Sequence, residues 1–397
     1  MPHNRACFAA LLVLLGACTT GVSPGANAPP ARSRIDAEVA RMMRDTGAQG
    51  FALALVDHGR VSWSATYGAR NAAGAPLEAG SILYAASLTK TTFAYLVLQL
   101  VEAGRIELDR PLASYLPKPL PDYAGEDIED RYARWSDLAG DDRWRTLTTR
   151  MLLNHASGFA NFGFLEPDGK LRFHFDPGTR FAYSGDGIIL LQFVLEQGLG
   201  LDVGHELQTR LFEPLQLRDT SLVWRADFAG RVADGWTLDG SVEPHDERSK
   251  VRAAGSMDTT IGDMARLVAA IARGELLGPK MRKEMVRPQL PITTRSQFPT
   301  LQDAARPEDQ KQHLAAGIGV VTFEGPQGRG FFKGGHNEST GNMVVCLEIP
   351  QRCVVMLGND LRAEAAIPYL VEFILGPTGL PWDWEYGDAT RWRPASP

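Results

Sequence analysis

Only four cysteines occur in 397 residues, which excludes a disulfide scaffold as the main source of stability. Positive charge is not in excess either. Lys and Arg number 41 against 47 Asp and Glu, a net charge of −6, and no basic run interrupts the chain. A nucleic-acid footprint is therefore not expected. The eight histidines show neither His-x-His nor His-Glu-x-x-His spacing, so the sequence implies no metal centre and no cofactor. The pattern Gly-x-Ser-x-Gly has no match between a predicted strand and a predicted helix, where a nucleophile elbow needs it. The run "ACFAALLVLLGA" (6–17) is shorter than the roughly 20 apolar residues a membrane-spanning helix needs. What remains is a composition 44% hydrophobic and 22% charged, that of a globular chain long enough for a large core or two lobes.

The first residues read as an address rather than a fold. One charge at Arg5, the short apolar run, and Leu15-Gly16-Ala17-Cys18 match a lipobox, in which the cleavage point lies just before the cysteine and its thiol is lipidated. The competing reading is an ordinary signal peptide with a chance cysteine. Residues 1–18 are taken as a lipoprotein signal peptide and Cys18 as the lipidation site. No aspartate follows Cys18, so in a Gram-negative cell the expected location is periplasmic, on the outer membrane. Residues 19–33, "TTGVSPGANAPPARS", are small, polar and Pro-rich and read as a tether. Cys346 and Cys353 then remain, on two predicted strands around Pro350-Gln351-Arg352. They form either a cross-strand disulfide, which an oxidising periplasm permits, or a pair of buried thiols.

A domain is expected over 34–376. A helix is predicted over 32–48 from Ile35, Val39, Met42 and Met43 on one face. A hairpin over 50–68 turns at Asp57-His58-Gly59. The acidic, aromatic segment 118–144 lacks periodicity and reads as a surface loop rimming a cleft. Helical patterns dominate roughly 105–250 and return at 259–274 and 367–376. Strands return from Gly317. Strands at both ends with helices between imply an α+β fold: an antiparallel sheet built from both termini, with an inserted helical lobe. A cleft between lobes is the expected ligand site. The aromatic tail 377–397 is expected to pack on the domain surface.

Three stretches carry candidate chemistry. In "YAASLTKTTFAYLVLQLVEAG" (84–104), Ser87 and Lys90 share a helical face. A serine hydroxyl needs a base to act as nucleophile, and a lysine is a base only when burial or nearby positive charge keeps its amine neutral. About one such spacing arises by chance in a chain this long, so a helix-capping Ser87 with a solvated Lys90 explains the tetrapeptide equally well. In "PGTRFAYSGDG" (177–187), Tyr183 can shuttle a proton if cations lower its pKa, and Ser184 can relay one or touch substrate. The alternative is a core tyrosine beside a capping serine. In "FFKGGHNESTGN" (331–342), Lys333 can attract a carboxylate, Gly335 allows close backbone approach, and the His336 N–H can join that of Ser87 as an oxyanion hole. The alternative is a glycine bulge beside a solvated lysine. His155 in "NHASG" reads as a buried structural histidine.

The order Ser-x-x-Lys, Tyr-Ser-x, Lys-x-Gly resembles the serine β-lactamase and penicillin-binding protein superfamily. "LYAASLTK", "LLNHASGF", "PGTRFAYSG", "FEPLQLRDTSL", "AAGSMDTTIGDMARL" and "VVMLGND" resemble its class C branch, which includes esterases and D-amino-acid peptidases. The resemblance spans roughly 35–376. It implies a β-lactamase/transpeptidase-like fold, with Ser87 as the acylated nucleophile, Lys90 as general base, Tyr183 as proton shuttle, and Lys333 with Gly335 and His336 on the substrate side. Two departures stand out. Gly185 replaces the usual asparagine that holds an amide carbonyl, and Gly334 replaces a hydroxyl residue. No role is carried over to Asp186 or Glu338. The resemblance implies hydrolysis of a small amide or ester, such as a D-alanyl or other peptidoglycan-derived peptide, a carboxylic ester or a β-lactam. The alternatives are a non-catalytic ligand-binding relative and a strict β-lactamase.

Overall fold

The computed structural model describes residue 1 and residues 28–302, 313–387 and 391–394. The lipobox with Cys18, and residues 19–27 of the predicted tether, lie outside them.

Helix α1 (Arg32–Thr46) buries Ile35, Val39 and Met42 and stops at Gly47, whose φ of 74° is the left-handed conformation that ends many helices. Strands β1 (Gly50–Asp57) and β2 (Arg60–Gly68) follow as a hairpin. Its two turn residues, His58 and Gly59, both have positive φ (50° and 69°), as a two-residue turn matched to the strand twist requires. Near the other end of the chain lie β3 (Val321–Gly325), β4 (Gly328–His336), β5 (Gly341–Leu347) and β6 (Arg352–Gly358). The sheet runs β2-β1-β6-β5-β4-β3 and is completed by the two-residue strands Ala315–Ala316 and Leu290–Pro291. Neighbours are antiparallel throughout. Pairing of Leu53 with Met356 joins the two ends of the domain, as the strand distribution implies.

Both faces of the sheet are covered. Along β1, Ala52, Ala54 and Val56 enter one apolar cluster while Phe51, Leu53 and Leu55 enter the other, the two-residue alternation of a strand. The first cluster is shared with α2 (Leu88–Glu102), α3 (Gly185–Phe193), α4 (Ile261–Arg273) and the inserted lobe. The second is shared with α1, α5 (Ile367–Leu375) and the short helix α6 (Trp382–Tyr386). Helix α2 is buried along its whole face and back from Leu88 to Leu100, rather than on one face only. A polar side chain within it has no route to solvent except through a cavity.

Two segments differ from expectation. The 118–144 region rims the cleft as expected, with Asp130, Tyr132 and Arg134 among its lining, but it does so as a packed wall of the lobe rather than as a surface loop. Tyr123, Tyr132 and Trp135 gather around Phe193 with ring centroids 4.9, 5.1 and 5.5 Å away, so its aromatics are core spaced without helical or strand period. The aromatic tail packs on the surface at Trp392, whose ring meets Tyr369 with centroids 5.2 Å apart, but not at Trp384. Trp384 is fully buried, and its indole N–H donates to Thr294 Oγ1 at 3.1 Å. Cys346 and Cys353 stand opposite each other in the β5–β6 register, and their sulfurs are joined as a disulfide. Among the described residues no single helix is long and apolar enough to cross a membrane.

Candidate active site

The nucleophile candidate sits where a short strand runs into α2. Tyr84 is held from β5 by the Asn342 side-chain amide, which donates to its carbonyl at 3.0 Å. Ala86 has a φ of 47°, an uncommon conformation for a residue with a side chain and one that gathers at functional sites. The chain thereby turns Ser87 into the helix N-cap position. The Ser87 hydroxyl makes no capping bond. It receives instead a hydrogen bond from Lys90 Nζ at 2.9 Å. Lys90 Nζ also donates to the Ala254 carbonyl at 2.5 Å. Lys90 is 1% exposed, and its pKa lies well below the ordinary lysine value, first because burial disfavours the ammonium and then because Lys333 repels it. As a neutral amine it has a lone pair that can take the Ser87 proton across the same contact.

Tyr183 lines the same cavity as Ser87, and the serine hydroxyl acts to lower its pKa. Lys90 Nζ and Lys333 Nζ each lie 5.0 Å from its ring centroid. The sequence suggests that such cations lower its pKa; burial instead holds it above that of free phenol. Tyr183 is therefore a neutral phenol at rest, and the resting base is Lys90. His155, at a φ of 56°, stacks on Tyr183 with ring centroids 4.4 Å apart. Its Nδ1 accepts the Ser184 N–H at 3.2 Å. Burial, the largest effect, depresses its pKa far below the usual value and keeps the ring neutral. His155 is thus more than a structural core histidine: it is the platform under Tyr183.

Ser184 does not do what its neighbourhood suggests. Its hydroxyl donates to the Ala160 carbonyl at 2.8 Å and accepts the Gly187 N–H at 3.0 Å. It caps α3, is fully buried and does not line the cavity. Both hydrogen-bonding directions are used, so the expected proton relay or substrate contact is corrected to a helix cap. The two serines exchange roles: the one at α2 is free of capping and the one at α3 performs it.

Gly185 follows from its neighbour. A Cβ there would lie 2.3 Å from the Phe162 ring, so Phe162 occupies the space an asparagine needs. Asn161 accepts the Gly185 N–H on its side-chain oxygen at 3.0 Å and itself lines the cavity. Asp186 accepts the Gly163 N–H at 2.6 Å. Burial raises its pKa to about 7. It pins the 161–165 loop from beneath.

Strand β4 forms the facing wall. Beyond Phe332 it pairs only with β5, leaving the edge from Lys333 to His336 toward α2. A Cβ on Gly335 would lie 2.9 Å from Ala85 O and Leu88 N and 3.0 Å from Ser87 N. Glycine is what lets this strand touch the start of the helix. Lys333 is buried, and burial lowers its pKa to about 8 against the opposing charge of Glu385. His336 Nδ1 lies 3.1 Å from Glu364 Oε1, a bond that raises its pKa. Glu338 is exposed beyond the end of the strand.

Ser87, Lys90, Tyr183, Lys333, Gly335 and His336 therefore line one cavity of about 760 Å³, the size of a small-molecule site. Missed by the sequence reading are His155 as a positioning residue, Asn161 and Phe162 beside Gly185, and Glu385 from the tail. For Asn161 and His155 a signal existed, since both fall in or beside the quoted "LLNHASGF"; for Glu385 there was none. Among the described residues no group of three His, Cys, Asp or Glu is placed to hold a metal ion.

A two-lobed α+β domain, with a buried serine–lysine pair at a helix start facing a Lys-Gly-Gly strand, has the build of a serine acyltransferase or hydrolase. The family model named Beta-lactamase matches residues 35–371, and the chain belongs to that family, whose members are mostly serine hydrolases. The lovastatin esterase of Penicillium rubens is 30% identical over 183 residues, 40% of this chain and 44% of that protein. The putative beta-lactamase-like 1 of Homo sapiens is 29% identical over 281 residues, 66% of this chain and 54% of that one. The chain thus spans about half the length of these relatives. Among solved structures, the D-alanine carboxypeptidase AmpC from Burkholderia cenocepacia superposes with a TM-score of 0.66 at 18% identity, covering 87% of this chain and 98% of that one. The octameric penicillin-binding protein homologue from Pyrococcus abyssi gives 0.68 at 16% identity over 87% and 78% of the two chains. These establish the β-lactamase/transpeptidase-like fold.

Proposed function

We propose that the protein hydrolyses a small ester or amide through a covalent acyl-enzyme on Ser87. The observation that carries this is the buried Lys90 amine donating to Ser87 Oγ at 2.9 Å, with no carboxylate among the groups that shift its pKa. Ser87 Oγ attacks the substrate carbonyl carbon, and its proton passes to Lys90 Nζ. The carbonyl electrons move onto oxygen, which accepts hydrogen bonds from the Ser87 and His336 N–H groups. Collapse breaks the bond to the leaving group. That group takes a proton from Tyr183, which is replenished from Lys90. Water then attacks the acyl carbon, gives its proton back through the same pair, and Ser87 leaves reprotonated.

Among substrates, a carboxylic ester is favoured over a β-lactam. Gly185 offers no side-chain amide, and relatives named as esterases, the lovastatin esterase and Esterase EstB of Burkholderia gladioli, support the same direction. The reading includes the periplasmic, lipid-anchored location that the lipobox at Cys18 implies. A panel of p-nitrophenyl esters, a D-alanyl-D-alanine peptide and nitrocefin tests the substrate class. Ester turnover at least 100-fold above that of nitrocefin, abolished in Ser87→Ala, is expected. Turnover that survives Ser87→Ala, or none with any member of the panel, contradicts the reading.

A further inference from the structure

The tail residue Glu385 reaches into the cavity and is used by no step above. Helix α6 is anchored by the buried Trp384, and Glu385 itself is 5% exposed. Gln297 Nε2 donates to its Oε2 at 2.9 Å. Its other oxygen presses on Gly334: a Cβ at that position would lie 2.1 Å from Glu385 Oε1. Gly334 and Glu385 therefore interlock. The room a side chain at 334 would need holds a carboxylate supplied from the end of the chain.

That carboxylate shares the cavity with Lys333 and Ser87. Burial raises the Glu385 pKa and lowers that of Lys333, and each group opposes that shift in the other by favouring its charged form. In a buried site of low dielectric an ionised Glu385 offsets the attraction Lys333 would exert on an incoming anion. The anion also meets the repulsion of Glu385. The far wall adds no net positive charge: Glu129 pairs with Arg134 and Asp130 with Lys250, and Asp137 and Arg252 are of opposite sign.

Resting on the hydrolase reading, we propose that Glu385 is a specificity-determining residue that reserves this cavity for substrates without a carboxylate near the scissile carbonyl. Two substrate pairs test this with the full chain. In one pair p-nitrophenyl hexanoate is set against mono-p-nitrophenyl adipate, which differ by a terminal methyl or carboxylate on the acyl side. In the other, 4-acetoxybenzamide is set against 4-acetoxybenzoate, which differ on the leaving-group side. The wild type is expected to show a kcat/KM at least tenfold higher for the neutral member of each pair. Glu385→Gln keeps the shape and removes the charge, and is expected to narrow the gap at least tenfold in one pair. A wild type that takes both members of each pair equally overturns the proposal even if the variant fails to fold. So does a folded Glu385→Gln protein with both gaps unchanged. Failure of all four esters, with no fluorophosphonate adduct on Ser87, removes the hydrolase reading itself and this inference with it.

Discussion

Lys90 and Asp186 show the same force acting on opposite charges. Burial drives the lysine pKa down and the carboxyl pKa up, because in each case the neutral form is the one the interior tolerates. For the lysine this creates a base; for the aspartate it stores a pH-dependent cost. The folded carboxyl titrates at about 7 against an ordinary value of 3.8. Its contribution to stability is complete below about 4 and declines as pH rises through 7, where folding must bury an ionised group. Asp186→Asn keeps the acceptor for the Gly163 N–H and has no charge to bury. Its melting temperature relative to wild type should therefore rise between pH 4.5 and pH 8; a difference that stays constant with pH would exclude this origin. Ser87, Lys90, Tyr183 and Lys333 are legible in the sequence because their spacing and order are specific. Ser184 is not, since a serine before a helix looks the same whether it caps or catalyses; only the Ala160 and Gly187 contacts decide.

At the scale of elements, close approach of backbones builds the site. Strand β4 reaches α2 through Gly335, and α3 starts beneath Phe162 because residue 185 lacks a Cβ. Restoring the absent asparagine by Gly185→Asn alone then forces a side chain into the Phe162 ring. Overpacking of this kind costs about 1–3 kcal/mol. The single variant should lose that much stability in urea titration and gain no nitrocefin hydrolysis, whereas Gly185→Asn with Phe162→Ala should recover a large part of it. Equal destabilisation of single and double variants would show that Phe162 is not the obstacle. Strand and helix positions were readable from period, but the 118–144 wall and the α6 tail were not. Their tryptophans and tyrosines are buried against Phe193, Phe181 and Phe332, partners distant in sequence, and no local pattern records that.

Taken whole, the molecule is one antiparallel sheet closed by both chain ends, with a helical lobe set on one face and the cavity at the seam. The sheet presents Lys333 and His336, the lobe presents Tyr183 and Asn161, and α2 between them presents Ser87 and Lys90. The tail adds Glu385 from the opposite side. A lipid anchor at Cys18 would hold this domain at a membrane surface on a Pro-rich tether. Cys18→Ser should abolish incorporation of labelled palmitate into the protein; incorporation undiminished in the variant would rule out that anchor.

Activation of Ser87 by a neutral, buried Lys90 is read out by the rate of fluorophosphonate labelling of Ser87 as a function of pH, followed by peptide mass. Labelling should persist at pH 7, fall on an acidic limb well below the ordinary lysine range, and drop by about 10²–10⁴ in Lys90→Met. A rate that climbs only as pH approaches 10.5, or one unchanged in Lys90→Met, would contradict it.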